Sequence, residues 1–251
     1  MTNKLKYFVG NWKMFGDFAS FKIIDKVIKF SKNFKKSKNS KIIFCIPNTL
    51  IHSFKRKIKS NNVYLGAQNC HYNNEYGSYT GSVNAYMLKK AGAQFVILGH
   101  SENRKEGDTN NIIKKKIQSA LKQKLNIIFC IGETLKEKRN RKTFIILKKQ
   151  LKNSLDKKFN MQKIIFAYEP VWSIGTNMTP NQQELKKNII FIKKKCKKYF
   201  KIVKAKVLYG GSVNEKNIRK FSSISDIDGF LIGGASQSSK KFIDIMKNYY
   251  K

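Results

Sequence analysis

Proline, histidine and acid are all scarce in this chain: 3 prolines, 3 histidines and 15 Asp and Glu among 251 residues, against 52 Lys and Arg. With so few prolines and no Pro/Gly/Ser-rich stretch, no linker divides the sequence, and residues 1–251 are expected to form one domain around one core. No His/Cys/Asp cluster has metal-ligand spacing, so no metal is expected. The 4 cysteines, Cys45, Cys70, Cys130 and Cys196, show no CxxC spacing. Cys45 and Cys130 lie inside apolar runs, which reads as buried, reduced thiols rather than disulfides. The amino terminus, MTNKLKYFVGNWK, lacks the apolar core of a secretory signal, and no apolar run approaches membrane-spanning length. A cytoplasmic protein without a membrane partner is the expectation.

The shortage of acid leaves a formal charge of +37. That invites a nucleic-acid partner. The excess is mostly Lys, however, and travels with abundant Asn, Ile, Phe and Tyr along the whole chain, residues favoured by AT-rich codons. A coding bias accounts for the charge, and nucleic-acid binding is not expected as the main function.

What the chain does have is one informative stretch, IIFAYEPVWSIGTNMTP, from Ile164 to Pro180. Ile164 to Tyr168 reads as a short buried strand ending on an acid, Glu169. Pro170 follows, removes a backbone donor and turns the chain out of the sheet. The next six residues, Val171 to Thr176, are too apolar for an ordinary surface loop and carry Gly175 near their tip, the composition of a lid that closes over a ligand. A carboxylate beneath such a lid loses water, which raises its pKa and its strength as a base.

Similar apolar runs recur at Tyr7–Val9, Ile42–Ile46, Val63–Leu65, Phe95–Leu98, Ile127–Ile131, Val207–Tyr209 and Phe230–Ile232. Lys-rich segments of helical period lie between them. Phe21, Ile24 and Ile28 share one face; so do Phe144, Leu147 and Leu151; Leu185, Ile189, Ile192 and Cys196 step by four, three and four. Eight strands alternating with covering helices predict an α/β fold, a (βα)8 barrel of eight parallel strands surrounded by helices, and no GxGxxG after the first strand supports the doubly wound alternative.

In such a barrel the loops after the strands share one face, so the polar residues there form a test. They are Asn11 and Lys13 after the first strand, His100 after the fourth, Glu169 after the sixth, Gly210-Gly211-Ser212 after the seventh and Gly233-Gly234 after the eighth. A His at a helix start stays neutral beside the positive end of the dipole, with Ser101 placed to cap that helix. The two glycine pairs expose backbone N–H groups suited to an anion.

Asn11-Trp12-Lys13, GHSE at 99–102, CIGE at 130–133, AYEPVWSIGT at 167–176, YGGSV at 209–213 and GFLIGGAS at 229–236 come in the order found in triosephosphate isomerases, and the chain resembles that family nearly end to end. The resemblance implies the TIM barrel, a small-molecule triose phosphate substrate, no cofactor, and a place in glycolysis and gluconeogenesis. It implies that Glu169 is the base and neutral His100 the electrophile. Lys13 and Asn11 assist both chemistry and binding. Gly175, Ser212, Gly233 and Gly234 offer N–H groups to the phosphate, with Leu231 and Ile174 as an apolar clamp on Glu169. Glu102 orients Lys13. A homodimer is implied, Thr80 in the loop 73–82 reaching the partner's Asn11 position.

The chain departs from the family at Ser82 and Asn103, where Glu and Arg are usual, and in a segment after Arg104 that looks one residue short. Phe15, Asn177 and Gln237 also stand where Asn, Gly and Leu are common. Two other readings compete on residues alone: a phosphate-binding barrel of the indole or anthranilate type, which gives no reason for the Glu-Pro-Val-Trp lid, and a basic RNA-associated protein, which requires its lysines on one face.

Overall fold

A computed structural model describes residues 5–251. Eight strands, β1 (Lys6–Asn11), β2 (Ser40–Cys45), β3 (Val63–Ala67), β4 (Phe95–Leu98), β5 (Asn126–Ile131), β6 (Ile164–Tyr168), β7 (Val207–Tyr209) and β8 (Gly229–Ile232), pair in parallel and in chain order, and β8 closes onto β1. β2 stops at Cys45, one residue before the expected Ile46, although the Ile46 N–H still donates to the Gly66 carbonyl at 3.0 Å.

Among the described residues ten α-helices surround or cap the barrel: α1 (Phe21–Asn33), α2 (Asn48–Lys57), α3 (Ala85–Ala91), α4 (Ser101–Lys105), α5 (Asn110–Lys122), α6 (Leu135–Arg139), α7 (Thr143–Ser154), α8 (Gln182–Phe200), α9 (Ile218–Ser222) and α10 (Ser239–Tyr250). In α8 the stripe Leu185, Ile189, Ile192 and Cys196 is fully buried, and the Asn181 side chain caps the helix by accepting from the Glu184 N–H. The lysines between stripe positions face outward, as Lys186, Lys187, Lys194, Lys197 and Lys198 do, while Lys193 bends back to Asp228 at 2.7 Å. Exposed lysines likewise occur on α1, α5 and α10, around the ring rather than on one face. No helix among the described residues is long and apolar enough to cross a membrane. All four cysteines are buried and unpaired.

Strand side chains alternate between two cores. One set packs outward against the helices, including Phe8, Ile42, Phe44, Phe129 and Phe166. The other fills the barrel: Tyr7 and Val9 of β1, Ile43 and Cys45 of β2, Ile128 and Cys130 of β5, Ile165 and Ala167 of β6, and Leu231 of β8. A period of two carries that inward series one step further, to Asn11 in β1 and to Glu169 just past β6. A slip of one residue in β6 would turn Glu169 away from the barrel mouth.

Candidate active site

Glu169 ends its strand pointing inward because its N–H still pairs with the Ile131 carbonyl at 2.8 Å before Pro170 breaks the ladder. The side chain is 2% exposed and shares the barrel mouth with His100, 5% exposed, their Oε1 and Nε2 atoms 3.4 Å apart. Burial pushes the Glu169 carboxyl above the ordinary carboxylate value, against the opposing pull of His100, the Cys130 thiol and Lys13. Cys130 is itself held protonated by burial and by this carboxylate. Glu169 Oε2 has no hydrogen-bond partner. Gly210 makes room for the acid, since a Cβ there would lie 2.8 Å from Glu169 Cγ.

His100 caps α4 with its own ring: Nδ1 accepts from the Glu102 N–H at 3.2 Å. An accepting Nδ1 carries no proton, which leaves a neutral imidazole with its hydrogen on Nε2, the nitrogen that faces Glu169. The expectation that Ser101 would cap this helix is corrected here. Ser101 is the buried first helical residue, and the cap is one position earlier. Arg104 fixes the turn from below, donating to the Gly99 carbonyl at 2.7 Å and to the Cys130 carbonyl at 3.3 Å.

Lys13 stands in left-handed backbone, φ 55°, which for a non-glycine residue costs about 1–2 kcal/mol and persists only where the surroundings hold it. Its N–H donates to Asn11 Oδ1 at 3.1 Å, and its ammonium contacts the Glu102 carboxylate. Because Oδ1 of Asn11 is turned to the backbone, the amide NH2 is the end left to donate toward the cleft. Glu102 also lies 3.6 Å from His100 Nδ1. One carboxylate therefore stands between the ammonium and the imidazole.

Opposite these groups, Gly233 and Gly234 open a short 3₁₀ turn, Gly234–Gln237. A Cβ on Gly234 would meet nothing within 4 Å, and one on Gly233 only Lys13 Cε at 3.9 Å, so their backbone faces open space beside the ammonium. The Ser212 N–H, by contrast, donates to Ser173 Oγ at 3.2 Å. Leu231 and Ile174 supply apolar wall.

The stretch after Pro170 begins with a 3₁₀ turn, Val171–Ser173, then runs exposed from Gly175 to Met178. Gly175 and Asn177 both take positive φ, 71° and 60°, so Asn177 occupies a backbone region that Asn tolerates better than most residues. Trp172 anchors the near end: its indole N–H donates to Glu133 Oε1 at 3.0 Å, and Lys138 Nζ sits 3.6 Å from the ring centroid. Tyr168 also donates to Glu133, at 3.1 Å. Phe15 packs edge-on against buried Trp12, with centroids 5.5 Å apart.

Together the groups frame a cleft of about 700 Å³. It gathers Asn11, Lys13, His100, Glu169, Ile174, Gly175, Ser212, Leu231, Gly233 and Gly234. Glu102 reaches in from a neighbouring groove of about 410 Å³. Ser101 lies beneath, and Thr80 is exposed on its loop and lines no part of its own chain's cleft. Gln68, Cys130, Glu133, Arg104 and Gln237 were not anticipated as site residues. For Glu133 a signal existed, in the CIGE motif itself.

Fold and cleft define a barrel enzyme with its chemistry at the carboxyl ends of the strands. The triosephosphate isomerase family model matches residues 6–249. A triosephosphate isomerase of Bartonella henselae is 37% identical over 257 aligned residues, covering 100% of both chains. One of Thermodesulfovibrio yellowstonii is 37% identical over 249, covering 96% of this chain and 98% of the relative. The crystal structure of the Bartonella henselae enzyme superimposes with a TM-score of 0.87 at 35% identity, over 98% of this chain and 99% of that one. This chain belongs to the triosephosphate isomerase family, isomerases that interconvert triose phosphates.

Proposed function

We propose that the cleft interconverts dihydroxyacetone phosphate and D-glyceraldehyde 3-phosphate by proton transfer through an enediolate. The observation that carries this is the pairing of a buried carboxylate with a neutral imidazole 3.4 Å away at the barrel mouth. A glutamate base working with an uncharged histidine is the known chemistry of this family rather than a new finding.

Glu169 removes a proton from the carbon beside the carbonyl. The carbonyl oxygen gains negative charge as the carbon–carbon double bond forms. His100 donates its Nε2 hydrogen to that oxygen, and Lys13, with the Asn11 amide, offsets the charge. Glu169 then returns its proton to the neighbouring carbon, while the hydroxyl on the first carbon gives its hydrogen back to His100 Nε2 and becomes the new carbonyl. Every step moves a proton, so the reaction calls for no cofactor.

The N–H groups of Gly233, Gly234, Ser212 and Gly175 bind the phosphate. Ser212 and Gly175 join when the lid moves, which frees the Ser212 N–H from Ser173. Closure excludes water from the enediolate. Leu231 and Ile174 keep Glu169 dry and basic.

The enzyme acts in glycolysis and gluconeogenesis in the cytoplasm. It works as a homodimer in which Thr80 and its loop enter the groove beside Lys13 of the second copy. Fully exposed Met14 and the half-exposed to exposed Tyr72, Tyr76 and Tyr79 support an apolar contact there.

Isomerisation in deuterated water tests the chemistry. Proton abstraction by a solvent-exchanging carboxylate places solvent deuterium on the reacting carbon of the product. Product free of carbon-bound deuterium, together with no transfer of label to the neighbouring carbon from substrate deuterated at the reacting carbon, rules out the enediolate.

A further inference from the structure

The left-handed conformation of Lys13 is set by the two peptide planes that flank it. Each of their carbonyls accepts from a glutamine. Gln68 Nε2 donates to the Lys13 carbonyl at 2.9 Å and also to that of Cys45 at 3.1 Å. Gln237 Nε2 donates to the Trp12 carbonyl at 2.8 Å. The carbonyl of Trp12 belongs to the peptide bond that leads into Lys13, so its orientation fixes φ of Lys13, as the next carbonyl fixes ψ. Fixing φ and ψ fixes the direction in which Cβ, and with it the ammonium, leaves the chain.

Gln237 comes at the end of the short turn that begins Gly233-Gly234, and it lines the cleft. The same turn accepts from the Trp12 indole N–H through the Ser236 carbonyl at 3.1 Å. The loop proposed to bind phosphate and the loop that bears the ammonium are thereby tied by two hydrogen bonds 224 and 225 residues apart in sequence. One of them runs from a side chain that offers an N–H, which an aliphatic residue of the same size cannot do.

We infer that Gln237 is a positioning residue for Lys13: it holds the Trp12–Lys13 peptide so that the ammonium stands between the Glu102 carboxylate and the phosphate turn. The inference rests on the proposed role of Lys13 at the substrate. Gln237 does not touch the reacting atoms. It acts through the backbone that Lys13 needs.

The test compares Gln237→Leu and Gln237→Met, which keep the volume and delete the donor, with wild type and with Lys13→Ala. Misplacement of a charged group by a fraction of an ångström predicts a fall in kcat/KM of about tenfold in both variants, with KM raised and kcat lowered together. Inhibition by inorganic phosphate, which reads the phosphate end of the cleft directly, weakens by about the same factor, since the same displacement moves the charge off the anion. Thermal unfolding stays within a few degrees of wild type, because Gln237 is only half-buried. Wild-type kcat/KM and wild-type phosphate inhibition in both variants overturn the inference. So does a loss of activity with phosphate inhibition unchanged, which places the effect somewhere other than Lys13. Failure of the underlying reading looks different: Lys13→Ala would then keep full activity whatever the Gln237 variants do.

Discussion

At the scale of single residues the site is a compromise between packing and chemistry, and Glu169 shows it most plainly. Its Oε2 atom is buried with no partner, and burial holds its pKa up. A group whose pKa is raised on folding stabilises the fold while protonated and weakens it as pH rises through the folded pKa. Glu169→Gln removes that ionisation. The variant is expected to lose activity and yet to gain about 1–2 kcal/mol of stability at pH 8, the scale of one unsatisfied buried group. The gain should vanish below the ordinary glutamate range, about pH 4, where both states of the wild type are protonated. Denaturant unfolding across pH measures it; a variant less stable than wild type at pH 8 contradicts the assignment of strain to this carboxylate. That Asn11, Lys13, His100 and Glu169 gather at one mouth was legible in the sequence because each falls at or shortly after a strand-like run, while the choice of Lys13 and His100 among such residues came from the family resemblance. The groups that hold them were not legible. Cys130 reads as an ordinary core thiol, and Gln237 is 225 residues from the carbonyl it holds. The capping ring of His100 depends on a turn geometry that Ser101, one residue on, imitates in sequence.

At the scale of elements the strands were the most legible feature. A parallel barrel buries both faces of each strand, so the strands read as near-continuous apolar runs. The connections carried less signal. The short segment after Arg104 closes through Gly107, φ 109°, and then through Asp108, whose carboxylate meets Lys116 of α5 at 2.7 Å with both side chains about nine-tenths buried. Lys116 also donates to Asn69 after β3, at 3.0 Å. This pair therefore ties α4, α5 and the β3 loop together beside the groove that Glu102 lines. Asp108→Asn strands a buried ammonium and should lower unfolding stability by about 3–5 kcal/mol, while Asp108→Leu with Lys116→Met should recover most of the loss. Equilibrium denaturation checks both; a cost below about 1 kcal/mol for Asp108→Asn means the pair does not hold the connection.

At the scale of the whole molecule the charge of +37 is spread over the helices and sets a limit on assembly. Two such chains repel, and Ser82 and Asn103 bring no ion pair to the proposed contact. The exposed Met14, Tyr76 and Tyr79 must supply the attraction. Sedimentation velocity should find a species of twice the 29.1 kDa chain mass at moderate salt that dissociates as ionic strength falls and screening is lost. A monomer at every salt concentration excludes the shared site. None of this was legible from the dimer-loop residues alone, which read as an ordinary polar loop.

The central claim is that one carboxylate at one distance performs the proton transfer. Shortening it by a single methylene, Glu169→Asp, leaves the charge in place and draws it back by roughly 1 Å, a displacement that can cost about a hundredfold. Steady-state kinetics in a coupled triose phosphate assay should give kcat lowered by about that factor or more, with KM much less affected. A Glu169→Asp enzyme that turns over at close to the wild-type kcat would contradict the account.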